Sequence, residues 1–225
     1  MAKKNVNVED QNLENVQEAL NTTTMWIEKN QKKLLIAVTV LVLAVLAVLG
    51  YSQYVVKPNQ NTINSENALA TVYFMQGNFE VALNGDSANC VGFKEIADEY
   101  TMYQGGKLAA LYAGVCYYQM GQYEDAAEYL KKFDAKDVNI APSALQLLGD
   151  TYVRLEDYSN AAKSFECAAK SGNKVIAPIS LKKLGFVYIE LGDKAAAKKA
   201  FETIKNEYPA SDEAKDIEKY ISIVE

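Results

Sequence analysis

Hydrophobic positions fall into two regimes along this chain. From Leu34 to Val56 they are nearly continuous. The stretch reads LLIAVTVLVLAVLAVLG and then YSQYVV, carries no charge, and has Thr39, Ser52 and Gln53 as its only clearly polar side chains. From Ile63 onward they recur at three- and four-residue intervals, and no stretch alternates with period two for long. The first regime predicts a transmembrane helix over residues 34–56. The second predicts an all-α body over residues 63–225. A 23-residue helix rises about 34 Å, enough to cross a hydrocarbon core of about 30 Å. Such a helix satisfies its own backbone hydrogen bonds and can sit in lipid alone.

Residues 1–33 form a polar head. Val8, Leu13, Val16 and Leu20 recur at roughly helical spacing, but the polarity of the segment favours a frayed tail. Lys29, Lys32 and Lys33 crowd the front of the span, with only Lys57 close behind it. The positive-inside rule then puts the head in the cytoplasm and the body outside. Tyr51 and Tyr54 fall where a far-side aromatic belt would sit, and Trp26 where a near-side one would. A cleaved secretory signal is the competing reading. The long head with five acidic residues argues against it, since signal peptides open on a short basic segment. No cysteine closes the apolar run, so a lipoprotein anchor is not expected. Pro58, Asn59, Gln60 and Asn61 predict a short polar linker over 57–62.

The body repeats itself. Leu145, Leu148, Gly149 and Tyr152 spell L-x-x-L-G-x-x-Y, and Leu181, Leu184, Gly185 and Tyr188 spell it again. Ala110, Ala113, Gly114 and Tyr117 give it with smaller leading residues. Twelve residues after each glycine stands an alanine: Ala126, Ala161 and Ala197. The glycine-to-glycine offsets are 35 and 36 residues. Three matches in register predict stacked pairs of antiparallel helices, with the glycine and the alanine where paired helices approach closely.

This pattern resembles the tetratricopeptide repeat family over about Lys107 to Pro209. The resemblance implies an α-solenoid with repeats at 107–141, 142–177 and 178–210. Glu156-Asp157 departs from it by standing where the family's turn glycine is usual. Gln76-Gly77-Asn78-Phe79, with Phe93, Ile96 and Tyr100, points to a degenerate repeat over 63–106 with a loop inserted at Leu83 to Val91. A helix from Asp212, capped by Ser211, is expected to close the array within 211–225.

Charge and residue inventory narrow the function. Residues 58–225 hold 24 Asp or Glu against 17 Lys or Arg, a net charge of −7, which excludes a nucleic-acid role. Histidine is absent, so a Ser-His-Asp triad is impossible and a common metal ligand is missing. There is no Gly-rich phosphate loop. Cys90, Cys116 and Cys167 make neither a zinc pattern nor a disulfide framework, and Cys116 and Cys167 are expected as buried packing thiols. Glu95, Asp98 and Glu99 read as a solvated helix face. Neither catalytic residues nor a cofactor or metal are expected.

Protein partners fit better. Helical spacing assigns a partner groove to Val115, Tyr118 and Gln119, then Gln146, Asp150, Val153 and Arg154, then Lys182, Phe186, Ile189 and Glu190. Asp86-Ser87-Ala88 resembles an O-glycosylation acceptor used outside the cytoplasm in one bacterial phylum, which makes Ser87 a candidate modification site. The whole layout, with Trp26 to Asn30 entering the span, resembles the membrane-anchored ancillary subunit family of the bacterial Sec translocon. That resemblance implies an inner-membrane protein with a periplasmic repeat domain and, as partners, translocon subunits, a periplasmic chaperone or exported chains. Tyr208-Pro209-Ala210-Ser211 also resembles the ending of repeats in cell-wall and outer-membrane assembly scaffolds, which is the alternative.

Overall fold

The computed structural model describes residues 8–53, 57–86, 89–134 and 137–225. They fall into two compact units, residues 1–58 and 59–225. The first is essentially one helix, α1 (Val8–Tyr51), 44 residues long. Within it, Thr24–Tyr51 is long and apolar enough to cross a membrane, and none of that stretch is buried in protein. Thr39, the polar residue in mid-span, turns its hydroxyl back to donate to the Leu35 carbonyl at 2.8 Å. No glycine or proline interrupts the chain from Val8 to Leu49, so the helix also runs through the head expected to be frayed.

The second unit is all α among its described residues. Its helices are α2 (Lys57–Met75), α3 (Phe79–Asn84), α4 (Phe93–Glu99), α5 (Gln104–Gln119), α6 (Tyr123–Lys132), α7 (Ile140–Arg154), α8 (Tyr158–Ala169), α9 (Ile176–Glu190), α10 (Lys194–Glu207) and α11 (Ile217–Val224). The linker expected over 57–62 is the first part of α2. Pro58 is its second residue, where a missing amide hydrogen costs nothing. Tertiary ties hold it there: Asn59 Nδ2 donates to the Tyr103 hydroxyl at 2.9 Å, and Asn67 Nδ2 to the Gly105 carbonyl at 3.0 Å.

One turn occurs four times. The amides of Asn78, Gln122, Asp157 and Asp193 donate to the carbonyls of Tyr73, Tyr117, Tyr152 and Tyr188 at 2.8–3.0 Å. The residue before each of these amides is left-handed: Gly77, Gly121, Glu156 and Gly192 have φ of 77°, 77°, 58° and 76°. The first of these turns establishes α2 and α3 as a helix pair like the others. Ala70 and Ala82 take the glycine and alanine places there, and both are fully buried.

The close approach is steric. A Cβ at Gly114 would lie 2.7 Å from Leu130, at Gly149 2.6 Å from Phe165, and at Gly185 2.2 Å from Phe201. In the first repeat the matching large residue, Phe93, comes seven positions late. The extra chain leaves and returns at one point, because Gly85 and Gly92 press together too tightly for any Cβ. The Asp86 carboxylate pins this excursion, accepting from the Asn89 amide at 2.6 Å, the Cys90 amide at 2.9 Å and the Tyr73 hydroxyl at 2.8 Å.

At the far end Ser211 Oγ accepts from the Ala214 amide at 3.3 Å. The expected closing helix is a 3₁₀ turn (Asp212–Asp216) followed by α11, which buries Ile217, Ile221 and Val224. The core is divided. One cluster runs from Ile63 to Tyr129 and another from Ala161 to Val224, and Ala127, Leu130 and Leu148 form a small separate one between them.

Two substitutions test this packing. Gly149→Leu should destabilise the repeat domain by more than about 2 kcal/mol through overpacking against Phe165. Glu156→Gly should stabilise it by about 1 kcal/mol, because it relieves a left-handed non-glycine residue. Thermal unfolding of the full chain in detergent, followed by circular dichroism, reads both.

Candidate partner-binding groove

The leading helices of successive repeats, α5, α7 and α9, carry the expected groove residues. At one end Tyr118 on α5 meets Tyr123 at the start of α6, rings edge-on at 5.5 Å. Arg154, at the end of α7, reaches back over Tyr123, its Cζ 5.9 Å from the ring. The Tyr118 hydroxyl accepts from that guanidinium and raises its pKa further. Two expected residues, Tyr118 and Arg154, are thus joined across a repeat boundary.

The middle is a depression of about 270 Å³ between α7 and α9. Of the residues assigned to the groove, Asp150, Val153, Phe186 and Glu190 line it, with Tyr158, Phe165, Lys183 and Val187. Lys183 Nζ donates to both Asp150 carboxylate oxygens at 2.6 and 2.7 Å. Gln146 Oε1 accepts from the Ser180 hydroxyl at 3.4 Å.

The far end is closed by the cap. Lys182 donates to Asp216 at 2.7 Å and lies 4.9 Å from the Tyr220 ring. That bond holds the Asp216 carboxyl below its usual range. Phe186 stands edge-on to Tyr220 at 5.0 Å and to Phe201 at 5.7 Å. Ile189 packs against the core, and Val115 and Gln119 lie on α5 outside the depression. Spacing missed Lys183, Tyr123 and Tyr220. Lys183, Phe186 and Glu190 fall at 0, +3 and +7 on one helix face, but Lys182, Phe186 and Ile189 fall at 0, +4 and +7, so spacing does not choose between the two lysines.

Other candidates resolve differently. Ser87 lies outside the described residues. Cys116 is buried, and burial pushes its thiol up to about 12. Cys167, expected to be buried, is exposed: it sits two residues past inward-facing Phe165, on the outer side of α8. Among the described residues no group of Asp, Glu or Cys is gathered to hold a metal. Asp98 is no ligand: it accepts from Lys132 at 2.9 Å and from the Tyr129 hydroxyl at 2.8 Å. Burial would raise its carboxyl, but these bonds outweigh that and hold it low. Glu66 is the opposite case. Burial first, then Glu99 and Glu95 nearby, raise its carboxyl, and its Oε2 is buried without a hydrogen-bond partner.

Four matching turns and small-residue contacts between paired helices make an α-solenoid of the tetratricopeptide-like kind. Tetratricopeptide repeat family models match residues 108–137 and 181–211, and a further one matches 142–170. No catalytic family is indicated. The chain is similar in fold to a crystal structure of MamA protein, with a TM-score of 0.53 at 20% identity over 73% of this chain and 91% of that one. A Podosopora anserina putative kinesin light chain with nearly identical tetratricopeptide-like repeats gives 0.53 at 12% identity, over 72% and 84%. No curated protein matches the chain.

Glu66 supplies a pH test. Its raised pKa means the fold disfavours its charged form, so its stabilising contribution is complete in acid and is lost as pH rises through that pKa. Glu66→Gln should therefore raise the Tm at pH 7, and the gain should vanish in acid, below the ordinary glutamate pKa. Asp98→Asn should do the reverse, lowering the Tm at pH 7 and not in acid.

Proposed function

We propose that this protein is a membrane-anchored scaffold that holds protein partners beside a bacterial inner membrane. The head is cytoplasmic, the apolar segment over 34–56 is an uncleaved anchor, and the repeat domain is periplasmic. The carrying observation is the pairing of one exposed apolar helix with a groove of aromatic and charged side chains on repeats of the interaction type. An anchor confines the groove to the membrane surface and raises its effective concentration toward membrane machinery. The partners proposed are Sec translocon subunits, a periplasmic chaperone or exported chains, and the process is protein export or folding. The groove suits an extended peptide or a partner helix: the edges of Tyr118, Tyr123 and Phe186 offer rigid contact area, while Arg154 and the Asp150–Lys183 pair offer charge.

Two experiments test this. Protease added to spheroplasts should digest the repeat domain and leave a protected fragment of head plus span; full protection of the repeat domain would overturn the orientation. Tyr118→Ala combined with Arg154→Glu changes the groove at one half-buried and one exposed position, and circular dichroism checks that the fold is kept. The double substitution should weaken partner binding at least about tenfold, as loss of an aromatic and an arginine contact does at interaction hot spots. Co-purification from gentle detergent, followed by identification of what is retained, reads the effect. Undiminished recovery would move the binding surface elsewhere.

A further inference from the structure

We infer that the repeat domain has a second binding site, a trough between α8 and α10 that takes an aromatic side chain from an extended segment of a partner protein. It is separate from the groove. On α9 the groove uses Lys183, Phe186 and Glu190, whereas Leu181, Leu184 and Tyr188, on another face of that helix, form the floor of the trough. The trough has a volume of about 550 Å³. One wall is α10, which presents Ala196, Ala200 and Thr203 at 0, +4 and +7 on a single face.

The internal repeat explains why this trough is open. Tyr117, Tyr152 and Tyr188 are equivalent, each three positions after its repeat glycine. The first is covered by Tyr129 of α6, ring centres 5.3 Å apart, whose hydroxyl donates to Asp98 on α4 at 2.8 Å. The second has the Lys131 amino group 5.9 Å from its ring centre. Over Tyr188 lies neither a ring nor a cation among the described residues. The residues that would supply one differ. Ala200 stands where α6 has Tyr129, three positions after the repeat alanine in both. Glu166 stands where Lys131 does, one position after Phe165 as Lys131 is after Leu130. A carboxylate is repelled by the negative face of a ring. Glu166 turns instead to Lys170, accepting at 3.0 Å. Both covers are thus missing in one repeat, and Tyr188 stays half-buried on the floor of the trough.

The first repeat shows what fills such a place: an aromatic ring carried by a polypeptide, packed on the tyrosine as aromatic pairs prefer. Charge on the rim is balanced, Lys170 and Lys199 against Glu166 and Glu207, so the ring decides what enters. From Ala196 to Glu207 the trough follows α10 for about 16 Å. That is longer than a single ring and matches about five residues of extended chain. The occupant is therefore a chain segment bearing the ring, and a free aromatic molecule would use only part of the site.

The test uses the full chain in phosphatidylcholine nanodiscs. Cys167→Ser removes the exposed thiol, Cys90 and Cys116 are buried, and Thr203→Cys places a thiol on the trough wall. The protein is equilibrated, under a reducing competitor, with disulfides of three probes: the peptide acetyl-Cys-Gly-Phe-Gly-amide, the same peptide with alanine for phenylalanine, and 2-phenylethanethiol. Intact-mass spectrometry reads which stays attached. The phenylalanine peptide should be retained several-fold more than either of the others. Equal retention of the two peptides overturns the site. Retention of 2-phenylethanethiol as strong as that of the phenylalanine peptide overturns the partner, since a free aromatic molecule then suffices. Ala200→Tyr returns a ring to Tyr188 and should erase the preference, and Ala196→Phe should do so from a less buried position on the same face. A preference that survives both arises outside the trough and also overturns the assignment. None of these changes touches Tyr118, Arg154 or the Asp150–Lys183 pair, so failure here leaves the groove reading standing.

Discussion

The repeat domain depends on how closely two paired helices can approach. At Gly149 and Gly185 an aromatic ring from the second helix occupies the space a side chain would need, and at Gly114 a leucine does. The bare backbone lets the rings of Phe165 and Phe201 enter the pair and be buried there. Everything downstream inherits that distance. It sets where the left-handed turn must close, and hence why four tyrosine carbonyls accept equivalent bonds. It also fixes which residues of α7 and α9 can face one another, and so brings Asp150 within reach of Lys183.

Much of this was legible because steric demands leave few residue choices. Glycine and alanine at a constant separation survive in the sequence as spacing, and so does the tyrosine three positions after the glycine. The turn was harder to read at Glu156, where a non-glycine residue takes the left-handed conformation and the surrounding geometry over-determines it. The loop inserted in the first repeat was visible as extra length, but its closure was not, since Gly85 and Gly92 meet only in three dimensions. Residues 57–62 look like a linker in composition and become helix through bonds to residues some forty positions away. The same limit applies in the groove. Lys182 and Lys183 are adjacent, and which one faces α7 and which the cap turns on a rotation of one residue. Tyr220 belongs to the site only because the last helix folds back upon it.

The groove is unevenly provided with charge. Its lysines are matched within the fold, Lys183 by Asp150 and Lys182 by Asp216. Such pairs orient side chains more than they stabilise, because exposed ion pairs contribute little. Arg154 is held differently, by a hydroxyl and an aromatic ring, with the Asp150 carboxylate acting on it more weakly from one turn away. An incoming carboxylate would find that charge already aimed by two tyrosines.

The small central cluster of Ala127, Leu130 and Leu148 has a mechanical meaning. In a linear array each element touches only its neighbours, so compliance concentrates where neighbours share the least apolar surface. Here that place is the joint of α6 with α7, between two well-packed blocks. Arg154 spans the same joint from the outside, resting on Tyr123 like a clasp across a hinge. Bending at the joint and spreading of Tyr118 from Arg154 are then one motion. A partner that grips both sides stiffens the array, and a partner that wedges between them bends it.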